Sequence, residues 1–368
     1  MATIPMAHSM SVTGLQPEFS QATTGFEYYD SRFLNITGNA PKLEILLENN
    51  DFPFAHEASV FIPSTDELFM TSNIFTDPLT NQSTIKISKV ILSSNPVTSE
   101  IINTTIPLPN GGINHDSGIL FCGQGTLNQS GGLFQMSIDP PYESELLISG
   151  FYGRNYNSLN DVVVHSDGSI WFTDPTYGYE QGIRPAPQLP NQVYRYDPST
   201  GDVRVVADGF GRPNGISFSP DEKIVYITDT AYTVGDGTTD PTKPSTMYVI
   251  FPSPSYRSLV AILFVRNYAF DITTYHGQPF LINRRVFAMA ANGIPDGIKT
   301  DMEGNVYAGC GDGVNVWSPG GVLLGKIYIK SGVANFSFGR NGRMFIMNEN
   351  RLLSAQLGRW VKGSILKI

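Results

Sequence analysis

Residues 159–174 read LNDVVVHSDGSIWFTD, and residues 213–229 read PNGISFSPDEKIVYITD. In both, apolar and polar positions alternate on either side of a short Asp-containing turn. A period of two places successive side chains on opposite faces of a strand, so each stretch is expected to form a β-hairpin. PDGIKTDMEGNVYAGCGDG (295–313) and PNGGINHDSGILFCGQG (109–125) repeat the plan. Two looser copies are HEASVFIPSTDELFMTS (56–72), with one extra residue, and ANFSFGRNGRMFIMN (334–348), with one fewer. No stretch of similar strength has a 3.6-residue period, so helices should be minor. Six related hairpins, each with room for two further strands, are the signature of radial repetition. The expected fold is an all-β six-bladed β-propeller with a central metal site.

Outward from the repeat, residues 41–368 are expected to form this single domain. Residues 1–40 are expected to be an N-terminal extension packed on its outside, and LEILLEN (43–49) is a candidate strand. The distance from Asn214 to Asp296 is 82 residues, longer than between the earlier copies. The excess around VGDGTTDPTKPS (234–245) is read as an inserted, solvated turn, because it lacks the spacing of an EF-hand loop.

With the copies in register, their opening positions are Glu57, Asn110, Asn160, Asn214, Asp296 and Asn335. All six are carboxylates or amides. The innermost strand of each blade lines the central channel, so these side chains should converge at one end of the axis. Two carboxylates brought together in a buried ring would repel unless a cation lay between them. Oxygen donors without sulfur or imidazole suit a hard cation such as Ca²⁺, although other divalent metals are possible, whereas Zn²⁺ would prefer His or Cys. The competing explanation is that Asn and Asp open strands merely as turn formers.

Bulk properties restrict the partners. The 368-residue chain has a formal charge of −9 and no Lys/Arg-rich run, which argues against nucleic acid and anionic membrane surfaces. Its longest apolar stretch, Leu259 to Val265, is far too short to span a bilayer. No signal-peptide pattern opens the chain, while N-x-S/T sequons at Asn35, Asn81, Asn103, Asn128 and Asn335 leave a secreted origin open. Oligomeric state and location are not legible. Cys122 and Cys310 read as two small buried residues, with a bridge between blades as the alternative.

The same segments carry a family resemblance. NSLNDVVVHSDGSIWFTDPTYGY (157–179), RPNGISFSPDEKIVYITDT (212–230) and PDGIKTDMEGNVYAGCGDG resemble the senescence marker protein/gluconolactonase family. HEASV (56–60), FYGRNYNSLNDV (151–162), NQVYRYDPSTGDVRVVADGF (191–210) and VYAGCGDGVNVWSPGG (306–321) followed by GKIY (325–328) are closer still to the fungal D-lactonohydrolases, of gluconolactonase or pantolactone hydrolase type. The resemblance implies a six-bladed propeller with a divalent metal, usually Ca²⁺, on its axis. It places the metal ligands on Glu57, Asn160, Asn214 and Asp296. Some animal members carry Arg two residues before the Asn160 position, where this chain has Ser158, so their substrate preference does not transfer.

The activity expected on this basis is metal-dependent lactone hydrolysis, with Asp296, as base, and Asn160 as the candidate catalytic residues. Direct attack by Asp296 to give an acyl-enzyme is the alternative mechanism. Asn110, His115, Tyr177, Tyr179 and Arg184 are candidate substrate contacts, the last three from the loop DPTYGYEQGIRP (174–185). His56 should face away from Glu57 across its strand. No Gly-x-Ser-x-Gly elbow is present. Competing functions are a phosphotriesterase of the diisopropyl fluorophosphatase type and a non-catalytic Ca²⁺-binding propeller.

Overall fold

A computed structural model describes residues 25–240, 242–243, 245–247 and 265–368. Residues 1–24 of the expected extension and most of the apolar stretch at Leu259 lie outside the described residues. Each of the six repeat copies forms an antiparallel hairpin, and each hairpin is the inner half of one sheet. The tight turns form as the sequence requires: Gly168 takes a φ of +84° in the 166–168 turn, a left-handed conformation that glycine adopts without a Cβ clash.

Blade 1 comprises Glu57–Ile62, Glu67–Thr71, Ile87–Ile91 and Thr98–Ile102. Blade 2 comprises Pro109–His115, Gly118–Gly125, Ser130–Ser137 and Ser144–Ile148. Blade 3 comprises Val162–Val164, Ile170–Asp174, Gln192–Asp197 and Asp202–Ala207. Blade 4 begins with Pro213–Phe218 and Ile224–Asp229 and ends with the long pair Val265–Tyr275 and Gln278–Val286. Blade 5 comprises Ile298–Thr300, Val306–Cys310, Gly313–Trp317 and Leu323–Tyr328, with Phe26–Tyr28 added on its outer edge.

Blade 6 supplies three strands from the end of the chain, Phe336–Phe338, Arg343–Asn348 and Arg351–Gln356. Its outermost strand is Lys42–Glu48, paired antiparallel with Arg351–Gln356. The ring is therefore closed by a sheet that joins the two ends of the domain, leaving no unpaired edge between first and last blades.

Apolar side chains on facing sheets fill the spaces between blades. The largest cluster joins blades 2, 3 and 4 around Trp171, Phe172, Tyr194 and Phe218. Cys122 and Cys310 are both buried and unpaired, each inside one of these inter-blade layers. Among the described residues helix is confined to Phe33–Thr37, Tyr177–Glu180 and a 3₁₀ turn at Arg340–Gly342, and no helix is long and apolar enough to cross a membrane.

Candidate functional site

Where the inner strands begin, three threonines recur one strand outward: Thr71, Thr173 and Thr228. Each donates its hydroxyl to the backbone carbonyl of the ring residue on the next blade. The distances are 3.1 Å from Thr71 to Asn110, 2.7 Å from Thr173 to Asn214, and 2.9 Å from Thr228 to Asp296. The glycine after each of these three ring residues, Gly111, Gly215 and Gly297, allows the neighbouring blade to approach. A Cβ on Gly111 would lie 2.4 Å from the Asn160 carbonyl oxygen, and one on Gly215 would lie 2.5 Å from that of Asp296. Threonine stitches and glycine clearances thus set the ring's spacing from backbone and hydroxyl groups rather than from flexible side chains.

Glu57, Asn110, Asn160, Asn214 and Asp296 all line one cavity of about 430 Å³ at this end of the axis. Asn335, the sixth ring position, does not line it. Its side chain is 1% exposed, and its Nδ2 donates to Glu57 Oε2 at 2.6 Å. Glu57, Asn160 and Asn214 are buried, while Asp296 is half-buried with its Oδ1 closed off from solvent.

Three oxygens stand out in this ring: Asn160 Oδ1, Asn214 Oδ1 and Asp296 Oδ1 are buried and accept no hydrogen bond. Leaving a buried acceptor unsatisfied costs about 1–3 kcal/mol each, so a ring with three of them is built for something other than its own stability. Burial pushes the Glu57 carboxyl up from its ordinary range, and the Asp296 charge adds to this. Burial raises Asp296 as well, against the opposing charge of His56. Two carboxylates and two free amide oxygens form a hard, all-oxygen donor set that fits Ca²⁺ and is poor for Zn²⁺. No cluster of three or more His, Cys, Asp or Glu side chains suited to a metal occurs among the described residues; two members of this donor set are amides.

Of the side chains expected to meet substrate, Asn110 and Tyr177 line the cavity. The Tyr177 hydroxyl is hydrogen-bonded to the Thr230 hydroxyl at its wall. The other three do not line it. Arg184 is buried with four of its five guanidinium N–H groups donated to backbone carbonyls: Nε to Asn157, Nη1 to Thr126 and Gln129, Nη2 to Tyr156. It ties blades 2 and 3 together rather than facing the cavity. Tyr179 is 52% exposed on the outer side of the short helix. His115 ends its strand at the far end of the channel, bonded through Nδ1 to Gln135 Oε1 at 2.8 Å.

His56 reverses the expectation from strand alternation, for it lines the cavity beside Glu57. Alternation does not apply to this pair, because the strand begins at Glu57 and His56 sits in a bend before it, next to the bridge between Ala55 and Glu349. His56 Nδ1 pairs with Glu349 Oε1 at 2.7 Å. Burial works against its charge, but the Glu349 carboxylate, with Glu57 and Asp296 beyond it, raises the imidazole to about 9.

The sequence reading also missed Asn73, Gln124 and Gln181, polar groups on the cavity wall, and the stretch Thr233 to Gly237. From Val234 on, that stretch belongs to the insertion expected as a solvated turn, and its Asp236 and Gly237 are exposed while also facing the cavity. The recurring Thr of MTS (70–72), FTD (172–174) and ITD (227–229) was a readable signal for the ring stitches. For the wall residues no local signal exists, since they come from four segments far apart in the chain. Ser158, at the departure from the animal pattern, is buried and anchors the short helix by accepting from the Gly178 N–H and donating to the Pro175 carbonyl.

A sequence profile described as the SMP-30/Gluconolactonase/LRE-like region matches residues 95–235. Lactonohydrolase oryL of Aspergillus oryzae is 30% identical over 313 residues, covering 82% of this chain and 67% of the fungal protein. The solved structure of a gluconolactonase from Xanthomonas campestris superposes with a TM-score of 0.67 at 23% identity, covering 90% of this chain and 94% of that one. Regucalcin from Agrobacterium tumefaciens, described as a calcium-binding protein, superposes with a TM-score of 0.56 at 16% identity, covering 87% and 94%. At these identities the two superpositions establish the six-bladed fold.

Proposed function

Since the chain belongs to the SMP-30/gluconolactonase/LRE-like family, we propose that it is a lactonase that opens a lactone ring in the cavity at the channel mouth, aided by a divalent cation, Ca²⁺, held by Glu57, Asn160, Asn214 and Asp296. The observation that carries the proposal is the set of three partnerless buried oxygens facing a cavity large enough for a small ring. The name of the Aspergillus relative supports the substrate class, and the calcium-binding description of the regucalcin neighbour supports the cation.

Ca²⁺ bound there would supply Lewis-acid polarisation of the lactone carbonyl and stabilise the charge that develops on its oxygen. The chain's own groups do the rest. Asp296 accepts a proton from the attacking water as the new C–O bond forms at the acyl carbon. Contact with a cation weakens a carboxylate as a base, while burial strengthens it. When the ring C–O bond breaks, the proton passes to the departing alkoxide, and the product is the open hydroxy acid. His56 is held through Nδ1 by Glu349, which leaves its Nε2 to donate to a substrate oxygen. Asn73, Asn110, Gln124 and Gln181 line the same cavity and offer amide hydrogen bonds that orient the ring.

The test is pH-stat titration of acid release from a panel of aldonate, pantoyl and larger lactones, with a phosphotriester as the competing substrate class, before and after chelation. Acid release from at least one lactone, lost on chelation and restored by Ca²⁺, is expected. Turnover of the phosphotriester alone would reject the lactonase reading.

A further inference from the structure

The cavity wall at Thr233 to Gly237 does not stand by itself. Between Asp229 and Asp240 the chain folds into a compact turn, with a bridge between Thr233 and Thr239 and a Val234 N–H bond to the Thr238 carbonyl at 2.8 Å. This turn leans on the short helix Tyr177–Glu180 of blade 3, and one side chain makes the joint. Glu180 Oε2 accepts the Gly235 N–H at 2.7 Å. Arg212 Nε reaches both Glu180 oxygens, at 3.0 and 2.9 Å, and the Thr176 hydroxyl adds a bond at 3.2 Å. Arg212 Nη1 in turn donates to the Ala231 carbonyl at 2.7 Å, so it grips the base of the same turn. Both charged side chains are largely buried and neither lines the cavity.

The approach is close enough to dictate a residue type. A Cβ on Gly235 would lie 2.8 Å from Glu180 Cβ and 3.1 Å from the Tyr177 carbonyl oxygen. Tyr177, one turn earlier on the helix, lines the cavity directly, and its hydroxyl bonds Thr230 at the start of the turn. Three contacts between blade 3 and blade 4 therefore converge on the position of one wall of the cavity that Asn73, Ile74 and Ile85 of blade 1 also line.

We propose that Glu180 and Arg212 are positioning residues that fix the 233–237 wall, and that this wall sets the size of lactone the cavity accepts. The proposal rests on the lactonase reading for its substrate but not for its geometry. With the clamp cut, the wall retreats or loosens. Small rings then lose the contacts that hold them, while bulkier rings lose a steric barrier. A pocket contact of this kind changes relative kcat/KM by about tenfold to a hundredfold. Glu180 and Arg212 lie outside the ring, so cation affinity should not change.

The experiment compares the wild-type chain with Glu180→Ala, using δ-valerolactone as the small substrate and δ-decanolactone as the bulky one. The ratio of their kcat/KM values should shift toward δ-decanolactone by about tenfold, through KM more than kcat. Glu180→Gln, which keeps the acceptor for the Gly235 N–H, should fall between. Hydrogen exchange read by mass spectrometry should show the amides of 233–237 exchanging about tenfold faster in Glu180→Ala, with the ring strands unchanged. If Glu180→Ala does not fold, Gly235→Ala displaces the same wall with the ion pair in place and must also move the ratio. Equal proportional losses on both lactones, or unchanged exchange at 233–237, would overturn the clamp. Wild-type enzyme inactive on every lactone would instead overturn the lactonase reading, and the exchange measurement would still decide the clamp.

Discussion

Asn214→Ala separates a ligand from a structural residue by the sign of two temperature shifts. The side chain is buried and its Oδ1 has no partner. Removing it relieves a buried unsatisfied acceptor, worth about 1–3 kcal/mol, and leaves a small cavity whose cost is of opposite sign and similar size. The two effects nearly cancel. Unfolding entropy of about 2.1 cal/mol/K per residue gives this 368-residue chain roughly 0.8 kcal/mol/K, so the melting temperature in chelator should stay within about 2 °C of wild type. Calcium changes the comparison. At a hundredfold excess over Kd it stabilises the wild-type fold by about 2.7 kcal/mol, or roughly 3 °C. A site weakened about a hundredfold by a lost oxygen keeps only about 0.4 kcal/mol, a shift below about 1 °C. Differential scanning calorimetry of both proteins, in EDTA and across a Ca²⁺ titration with Mg²⁺ as the ionic control, reads all four numbers. A melting temperature that falls several degrees in EDTA, while the Ca²⁺ shift survives, would make Asn214 a structural residue and refute it as a cation ligand.

Excess Ca²⁺ should restore activity to Glu57→Gln better than to Asp296→Asn, because the latter also lacks the base, typically worth about 10²- to 10⁴-fold in kcat; equal restoration would leave Asp296 only a ligand. Arg184→Ala should lower thermal stability by loosening four carbonyls between blades 2 and 3 while leaving KM within about twofold, as checked by melting curves and steady-state kinetics. Burial, against two backbone N–H donors and the Arg184 charge, raises the Asp174 carboxyl to about 7, so the folded state holds its proton more tightly than the unfolded chain. Its stabilising contribution is complete below the ordinary carboxylate value of about 4 and is lost as pH rises through about 7, so Asp174→Asn should flatten the melting temperature across that window. Trp171→Ala, in the layer between blades 3 and 4, should cost about 3–5 kcal/mol by denaturant titration.

Hairpins with alternating faces and Asp-Gly turns are local objects, specified by a dozen neighbouring residues, so six blades and the ring residues at their mouths were legible in the chain alone. The register of Glu57, Asn110, Asn160, Asn214 and Asp296 followed from the same periodicity, and all five line one cavity. Legibility stopped where contacts become distant. His56 was misread because its strand begins only at Glu57, so the alternation on which the reading depended does not reach it. Arg184 looked like a ligand-binding cation because sequence shows a charge but not the four carbonyls from 126, 129, 156 and 157 that surround it. The partly exposed turn at 233–237 could be expected, but its place on the cavity wall could not, because nothing in it announces that Glu180, fifty-five residues earlier, accepts its Gly235 N–H. Closure of the ring by Lys42–Glu48 on Arg351–Gln356 is of the same kind. Backbone periodicity is written into neighbouring residues, whereas the partner of a buried charge or a loop N–H is chosen by the packing of blades that are far apart in the chain.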